Sequence, residues 1–319
     1  MGSESTPNLS SPPAGVPPGR ADAPSRLDWL LFGPKGLRPV WRIISFIALV
    51  YGFSLVADLI GPVRHAFARV VSDPQVGPVP VIVIELARAI EVLAAAAIMA
   101  LLEKRPFAEY GLPGGLASAK RFLQGLPLGF VMLSVLLAAI GALRGFSIHG
   151  FSVGGAEALK YALLWGIAFA LVGLYEDFLF RGYLQAALGD GIGFWPAAII
   201  LALVFGGIHL GNSGEAIFGV VMAALFGLVD AFALRRTGSL WLPIGMHMSW
   251  DWSETFFYGT PDSGVTATGH LLNSSFHGAK WLTGGTVGPE GSWLVLPTLL
   301  LWVLAIHLLF PAKPASASA

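Results

Sequence analysis

Residues 160–185 read KYALLWGIAFALVGLYEDFLFRGYLQ, and this stretch decides the fold. No charged residue lies between Lys160 and Glu176. A continuous apolar run of this kind predicts a helix surrounded by lipid, because about 20 such residues cross the hydrocarbon of a bilayer. The run then meets Glu176, Asp177 and Arg181. An ionisable group at that depth is costly unless it is paired or hydrated, so it marks a functional hypothesis by default.

The same apolar character runs through the whole chain. Hydrophobic residues make up 55% of it and charged residues 12%, about half the charged fraction of a typical soluble domain. The composition predicts an all-α fold, a polytopic helical bundle in contact with membrane lipids. The 19 basic and 19 acidic residues leave no surplus positive face for a nucleic acid. The absence of cysteine excludes disulfides and thiolate metal sites.

About eight apolar segments are long enough to span the membrane. Glycine and proline punctuate their connections, for example at Gly61-Pro62 and from Gly189 to Gly193. The predicted spanning helices cover residues 40–62, 80–102, 121–143, 160–188, 194–211, 215–234, 239–258 and 292–310.

These segments also divide the chain into predicted regions. Both ends are rich in small residues and proline, with little that could pack, so they are predicted to be disordered. The regions are an N-terminal tail at 1–26, N-terminal transmembrane helices at 27–103, a membrane core at 104–258, a Gly-rich loop at 259–291, a C-terminal transmembrane helix at 292–310 and a tail at 311–319.

Basic residues are concentrated in alternate connections between these helices. They include Arg38 and Arg42 before the first helix, Lys104 and Arg105 after the second, and Arg235-Arg236 after the sixth. By the positive-inside rule both termini are predicted to be cytoplasmic, in a multi-pass protein of the cell membrane. This topology places Glu176 near mid-membrane and His209 nearer the outer face. The two meet only if the fourth helix is long or tilted, or if the fifth is broken near Gly206-Gly207.

The spacing within the first polar fragment predicts two different roles. Asp177 and Arg181 are four residues apart, so they share a helix face with the acid first, the favourable order for an ion pair. Glu176 points about 100° away and is not neutralised by that arginine. The pair is therefore predicted to support the helix while Glu176 is available for chemistry. A buried structural network of all three residues is the alternative.

Two further fragments repeat this four-residue spacing. Phe205 shares a face with His209, so its ring could wall one side of the imidazole. His247 shares a face with Asp251, and a carboxylate beside an imidazole fixes its tautomer and raises its basicity. Small residues near the first of these fragments predict a close approach by another helix. They are Ala202, Gly206 and Gly207.

Together, the three fragments resemble the motifs of the CAAX prenyl endopeptidase type II family, also called the CPBP or Abi family. The family pattern is Glu-Glu-x-x-x-Arg, then Phe-x-x-x-His, then His-x-x-x-Asn/Asp on successive core helices. This chain has Glu176-Asp177-x-x-x-Arg181, Phe205-x-x-x-His209 and His247-x-x-x-Asp251. The stretches at 104–112 and 180–185 are also similar to family segments. The resemblance covers roughly residues 104–258.

The resemblance implies an intramembrane endopeptidase that acts on a membrane-associated peptide or protein. By this analogy Glu176 and His209 activate a water, and His247 with Asp251 stabilises the oxyanion. A buried glutamate and donors in a water-excluding site suit such chemistry. The remaining motif residues are implied to support the site. They are Asp177, Arg181 and Phe205.

Asp251 departs from the commoner asparagine of the family, and this leaves its role open. An ionised aspartate cannot donate a hydrogen bond to an oxyanion. Asp251 is therefore protonated, or it orients a charged His247, or it helps to bind a cation. A metal-free mechanism without a cofactor is favoured. The alternative is zinc or another divalent cation held by Glu176, His209 and His247, although the chain has no His-Glu-x-x-His helix.

Two non-protease functions also fit the polar core. A membrane scaffold or immunity protein would keep these residues for packing alone. A proton-coupled transporter would use them as a relay, but the chain shows no paired half-chain repeats of the kind that many transporters have.

Overall fold

The computed structural model describes residues 30–33, 36–73, 75–211 and 217–311. The predicted tail at 1–26 lies outside these residues, and of the tail at 311–319 only Pro311 lies inside them. The chain divides into two compact units, Met1–Arg38 and Pro39–Ala319. In the first unit, strands β1 (Phe32–Gly33) and β2 (Gly36–Leu37) form a short antiparallel hairpin.

The second unit is a helical bundle, which confirms the predicted fold class. Its helices are α1 (Pro39–Ala57), α2 (Gly61–Ser72), α3 (Pro78–Glu103), α4 (Leu116–Ala142), α5 (Gly155–Ile192), α6 (Phe194–Ile208), α7 (Ile217–Thr237), α8 (Trp241–Trp252), α9 (Lys280–Thr283) and α10 (Val295–Leu309). Two π-helical stretches interrupt or extend them, Phe178–Tyr183 within α5 and Ser253–Tyr258 after α8. Strands β3 (Phe146–Phe151) and β4 (Leu272–Phe276) pair antiparallel and join the α4–α5 connection to the loop after α8.

Each of the eight predicted segments forms a helix in the described part of the chain. Five helices are long and apolar enough to cross a membrane, namely α1, α4, α5, α7, and α6 with its final turn to Gly211. The other three are α3, which carries charged side chains, α8, which continues as a π-helix, and α10, which has 15 residues. Helix α2 was not predicted. Gly61-Pro62 begins a helix there, and proline is favoured in the first turn of a helix.

Helices α5 and α6 form a hairpin that brings two motifs to the same depth. Gly193 makes the turn with a φ of 87°, a conformation that glycine adopts readily. Glu176 lies 17 residues before Gly193, and His209 lies 16 residues after it. At 1.5 Å per residue both are about 25 Å from the turn. The long fourth helix that the sequence required is therefore present, because α5 has 38 residues.

Glycines let α8 pack directly against the backbone of α4. A side chain at Gly125 or Gly129 of α4 would overlap the backbone around Met246, and one at Gly245 of α8 would overlap the carbonyl of Phe122. Close backbone approach through small residues is a general way of packing membrane helices. This contact fixes α8 and, with it, the position of the third motif.

The small residues predicted beside the second motif behave differently from one another. Gly206 lies against the backbone of Val220 and against Ala224 of α7, so α6 and α7 approach closely there. Ala202 also lies at this contact, because its Cα is 3.5 Å from the position of a Cβ on Gly227. Gly207 faces open space. The prediction was therefore right for two of the three residues and wrong for Gly207.

A buried ion-pair network joins α1, α3 and α5 away from the motifs. Arg42 is 3% exposed and lies 2.7 Å from Glu103 and 2.6 Å from Asp190. The hydroxyls of Tyr110 and Tyr183 donate to Glu103. Burial, followed by the Glu103 carboxylate, raises the pKa of Tyr110 to about 12, so its hydroxyl remains a donor at neutral pH.

The glycine contact between α4 and α8 predicts a specific loss of stability. Gly129→Ala places a methyl group against the Met246 carbonyl and the Ser249 hydroxyl. Overpacking of this kind costs about 1–3 kcal/mol, so the thermal unfolding midpoint of the purified protein in detergent should fall.

Gly52→Ala is the matched control for this substitution. Gly52 lies within α1, and a side chain there meets nothing within 4 Å. The alanine should leave the midpoint unchanged or raise it slightly, since alanine is the better helix former. Equal midpoints for the two variants would contradict the packing described for α4 and α8.

Candidate active site

A cavity of about 420 Å³ lies among helices α3, α5, α6, α7, α8 and the loop after α8. All four residues that the resemblance assigns to catalysis line it. They are Glu176, His209, His247 and Asp251. Apolar side chains such as Trp165, Phe169 and Val172 form much of the remaining wall. The cavity therefore combines convergent polar groups with an apolar lining, the usual composition of a small-molecule or peptide site.

His247 is the most highly connected residue of the site. Its Nε2 lies 3.8 Å from Glu176 Oε2 and 3.4 Å from Asp251 Oδ2, and its Nδ1 lies 3.5 Å from Asp177 Oδ2. Three carboxylates from two helices thus surround one imidazole. The structure brings the first and third motifs together.

Asp177 and Arg181 form the ion pair that their spacing predicts. Arg181 Nη1 lies 3.3 Å from Asp177 Oδ1, and both side chains are buried. The guanidinium is 4.1 Å from the centre of the Phe205 ring, and its Nε donates to the Gly227 carbonyl at 3.5 Å. A side chain on Gly227 would overlap the guanidinium. The arginine therefore links α5 to α6 and α7.

The π-helical stretch of α5 begins directly after Asp177. It covers Phe178–Tyr183 and includes Arg181. Single-turn π-helices are rare and are frequently found at functional sites, where they redirect side chains. No feature of the sequence predicts this irregularity, because the hydrophobic pattern is that of an ordinary apolar helix.

His209 lies in the 3₁₀ turn that ends α6. Its Nδ1–H donates to the Phe205 carbonyl at 2.8 Å, which leaves Nε2 without a proton in the neutral ring. The Phe205 ring is 4.8 Å from the imidazole, as the shared helix face predicts. In the described residues no hydrogen bond or ion pair joins His209 to Glu176 directly, although both line the cavity.

Asp230 is a site residue that the sequence analysis missed. It lies on α7, lines the cavity and places Oδ2 3.9 Å from Arg181 Nη2. One ligand atom from each of Asp230, Asp177 and His247 lies within 4.8 Å of the others. Asp230 is the one acid within the apolar stretch 217–234, and this was the signal that could have found it.

Helix α3 adds a further ion pair to the cavity wall. Arg88 Nη1 donates to Glu85 Oε1 at 2.7 Å, and its guanidinium lies 5.6 Å from the centre of the Tyr175 ring. All three residues line the cavity beside Glu176.

The loop after α8 contributes two acids that no motif includes. Asp262 and Glu290 line the cavity, and one oxygen of each lies within 4.8 Å of an oxygen of Asp251. Burial, followed by the nearby Glu290 carboxylate, raises the pKa of Asp262 to about 8. Only tertiary folding brings this loop to α8, so no short-range pattern could have assigned these residues to the site.

Two groups of residues in the described chain have the spacing of metal ligands. They are Asp177, Asp230 and His247, and Asp251, Asp262 and Glu290. The alternative zinc set of Glu176, His209 and His247 is not one of them.

Comparison with known proteins supports a protease at the level of a family. No curated protein and no solved structure matches the chain. The model of one family, described as type II CAAX prenyl endopeptidase Rce1-like, matches residues 158–253. This range begins in α5, includes all three motifs and ends just after α8. Residues 158–253 of this integral membrane protein thus match the type II CAAX prenyl endopeptidase Rce1-like family, the family that the motifs resemble.

Proposed function

We propose that the chain is an intramembrane endopeptidase that hydrolyses a peptide bond with a water activated by Glu176 and His209. One observation carries the proposal: Glu176, His247 and Asp251 converge on a cavity that His209 also lines. The family match supports peptide hydrolysis in a membrane, and the active residues are inferred from the geometry.

Glu176 is suited to act as the general base. Asp177, not Glu176, takes the Arg181 guanidinium, and the only ion-pair contact of Glu176 in the described chain is His247 at 3.8 Å. The carboxylate is therefore free to accept a proton from a water in the cavity. The unprotonated Nε2 of His209 would accept a second hydrogen bond from the same water and hold it in place.

His247 is suited to stabilise the oxyanion of the tetrahedral intermediate. Its Nδ1 lies 3.5 Å from Asp177 Oδ2, while its Nε2 lies 3.8 Å from Glu176 Oε2 and 3.4 Å from Asp251 Oδ2. The surrounding carboxylates would stabilise the positive charge of an imidazolium, which donates to developing negative charge far better than a neutral ring. Asp251 then acts through His247 and need not donate a hydrogen bond itself.

The family match indicates which substrate class to test first. A prenylated peptide of CAAX type is the first to test, because the matching family is described by that substrate. The apolar part of the cavity wall suits a membrane-associated segment. We place the enzyme in the cell membrane with both termini in the cytoplasm, on the basis of its distribution of basic residues.

Glu176→Gln tests the general base. The protein is reconstituted in lipid vesicles with a prenylated CAAX peptide, and products are identified by mass spectrometry. Loss of the base should lower the cleavage rate by about 10²–10⁴-fold, the usual contribution of general base catalysis. The unfolding midpoint should change little, because glutamine keeps the shape of the side chain.

Glu157→Gln is the matched control, since it makes the same chemical change on an exposed residue of the same helix. It should cleave at the wild-type rate. Wild-type cleavage by a folded Glu176→Gln variant would exclude Glu176 as the base. A second outcome is that the wild type shows no cleavage and the Glu176→Gln variant keeps the cellular function of the protein. That outcome would favour the membrane scaffold as the function of the chain.

The proposed mechanism requires no zinc. Incubation with ortho-phenanthroline, which removes zinc and binds calcium poorly, should leave peptide cleavage unchanged. Loss of cleavage that zinc alone restores would instead favour the metal-dependent version of the protease.

A further inference from the structure

We propose that Asp251, Asp262 and Glu290 form a calcium-binding site beside the active site, next to the buried carboxylate of Glu254. The first observation is geometric. One oxygen from each of Asp251, Asp262 and Glu290 lies within 4.8 Å of the other two. A Ca²⁺ ion binds oxygen at about 2.3–2.6 Å, so a single ion can reach all three without rearrangement of the backbone.

Glu254 provides an independent reason to expect a cation. Its side chain is fully buried, and neither carboxylate oxygen has a hydrogen-bond partner among the described residues. It lies within electrostatic range of Glu290, Asp262 and Asp251. A buried carboxylate without a partner is strongly unfavourable, and three acidic neighbours increase that cost.

No protein cation in the described part of the chain balances these acids. Neither arginine nor lysine forms an ion pair with any of the four, and the only basic contact is His247 with Asp251 at 3.4 Å. His247 is shared with two other carboxylates. A bound ion would supply the missing positive charge.

Hydrogen bonds hold the acids in place for such an ion. Trp250 Nε1 donates to one oxygen of Glu290 at 3.1 Å, and Ser263 Oγ donates to the other at 2.8 Å. Thr255 Oγ1 donates to Asp262 Oδ2 at 3.1 Å. Surrounding donors of this kind orient metal ligands and are a regular part of metal sites.

The chemistry of the ligands favours Ca²⁺ over other common ions. The three ligands are carboxylates, the hard oxygen ligands that calcium and magnesium prefer, whereas zinc favours nitrogen and sulfur. Magnesium demands shorter distances and usually retains several waters, so a site made of several protein carboxylates suits calcium better. In the predicted topology the loop after α8 faces the outside of the cell, where many weak calcium sites of proteins are found.

The site would also settle the open role of Asp251. This residue contacts His247 on one side and the loop acids on the other. An ion bound to it would keep the carboxylate ionised and fix its orientation toward His247. This consequence for catalysis rests on the proposed function, whereas calcium binding does not.

Binding is tested first, without substrate, on the full chain in lipid nanodiscs after treatment with EGTA. Added Ca²⁺ should raise the thermal unfolding midpoint of the wild type in a saturable way, since an ion that binds only the folded state stabilises it. Tb³⁺, which binds calcium sites and is excited by nearby tryptophan, should luminesce beside Trp250 and be displaced by Ca²⁺. Mg²⁺ should displace it only at much higher concentration.

Glu290→Gln and Asp262→Asn should each weaken Ca²⁺ binding by at least about ten-fold, the loss typical even of residues that only support a ligand. Glu157→Gln should leave binding unchanged. In EGTA both site variants should be at least as stable as the wild type, because each removes repulsion between buried acids. That measurement shows they are folded. The proposal is overturned if wild-type stability does not respond to Ca²⁺, or if both variants keep the wild-type response.

A second experiment measures cleavage of the prenylated peptide with and without Ca²⁺. The rate should fall in EGTA and recover with Ca²⁺ alone. Calcium binding without an effect on the rate would overturn the link to Asp251. Calcium binding in a protein that cleaves nothing would count against the proposed function and leave the site intact.

Discussion

A carboxylate buried in a membrane bundle is strongly unfavourable unless its charge is balanced, and beside the active site Arg181 supplies that balance. Its guanidinium lies between Asp177 and Asp230, against the Phe205 ring and the Gly227 carbonyl. Three helices are thereby fixed around one charge. Removal of one partner from such a buried pair typically costs about 3–5 kcal/mol. The same pairing leaves Glu176 as the acid that the arginine does not neutralise.

Much of this arrangement could be predicted because it depends on short-range spacing. The pair of Asp177 and Arg181, and the contact of Phe205 with His209, follow from residues four apart on one helix. The helix positions follow from continuous apolar runs, since a lipid environment requires about 20 such residues. The equal depth of Glu176 and His209 was expected only on the condition of a long or tilted fourth helix or a broken fifth one, because the predicted fourth helix ended at residue 188 whereas α5 continues to Ile192. The family match over residues 158–253 agrees with the motifs that these spacings define.

The remaining features could not be predicted because they depend on contacts between distant parts of the chain. Asp262 and Glu290 reach the cavity only after the loop has folded back over α8, where β4 pairs with β3. No periodicity in a Gly-rich loop reveals such a return. The π-helical turn after Asp177 could not be predicted for another reason. An α-helical and a π-helical turn in an apolar segment have the same amino-acid composition. Asp230 was visible in the sequence but lacked a partner at short range.

The charges around the cavity are distributed unevenly, and this unevenness links catalysis to the loop. On the side of α3 and α5, Glu85 and Asp177 each have an arginine. On the side of the loop, the one basic contact of Asp251, Glu254, Asp262 and Glu290 among the described residues is that of His247 with Asp251. Desolvation raises the cost of every unbalanced charge, so the loop side is either partly protonated or occupied by a cation. Protonation would leave Asp251 a variable partner for His247, whereas a bound ion would fix it in one charge state. A site that must stabilise an oxyanion benefits from a fixed arrangement, because donors that are already oriented need no reorganisation as charge develops.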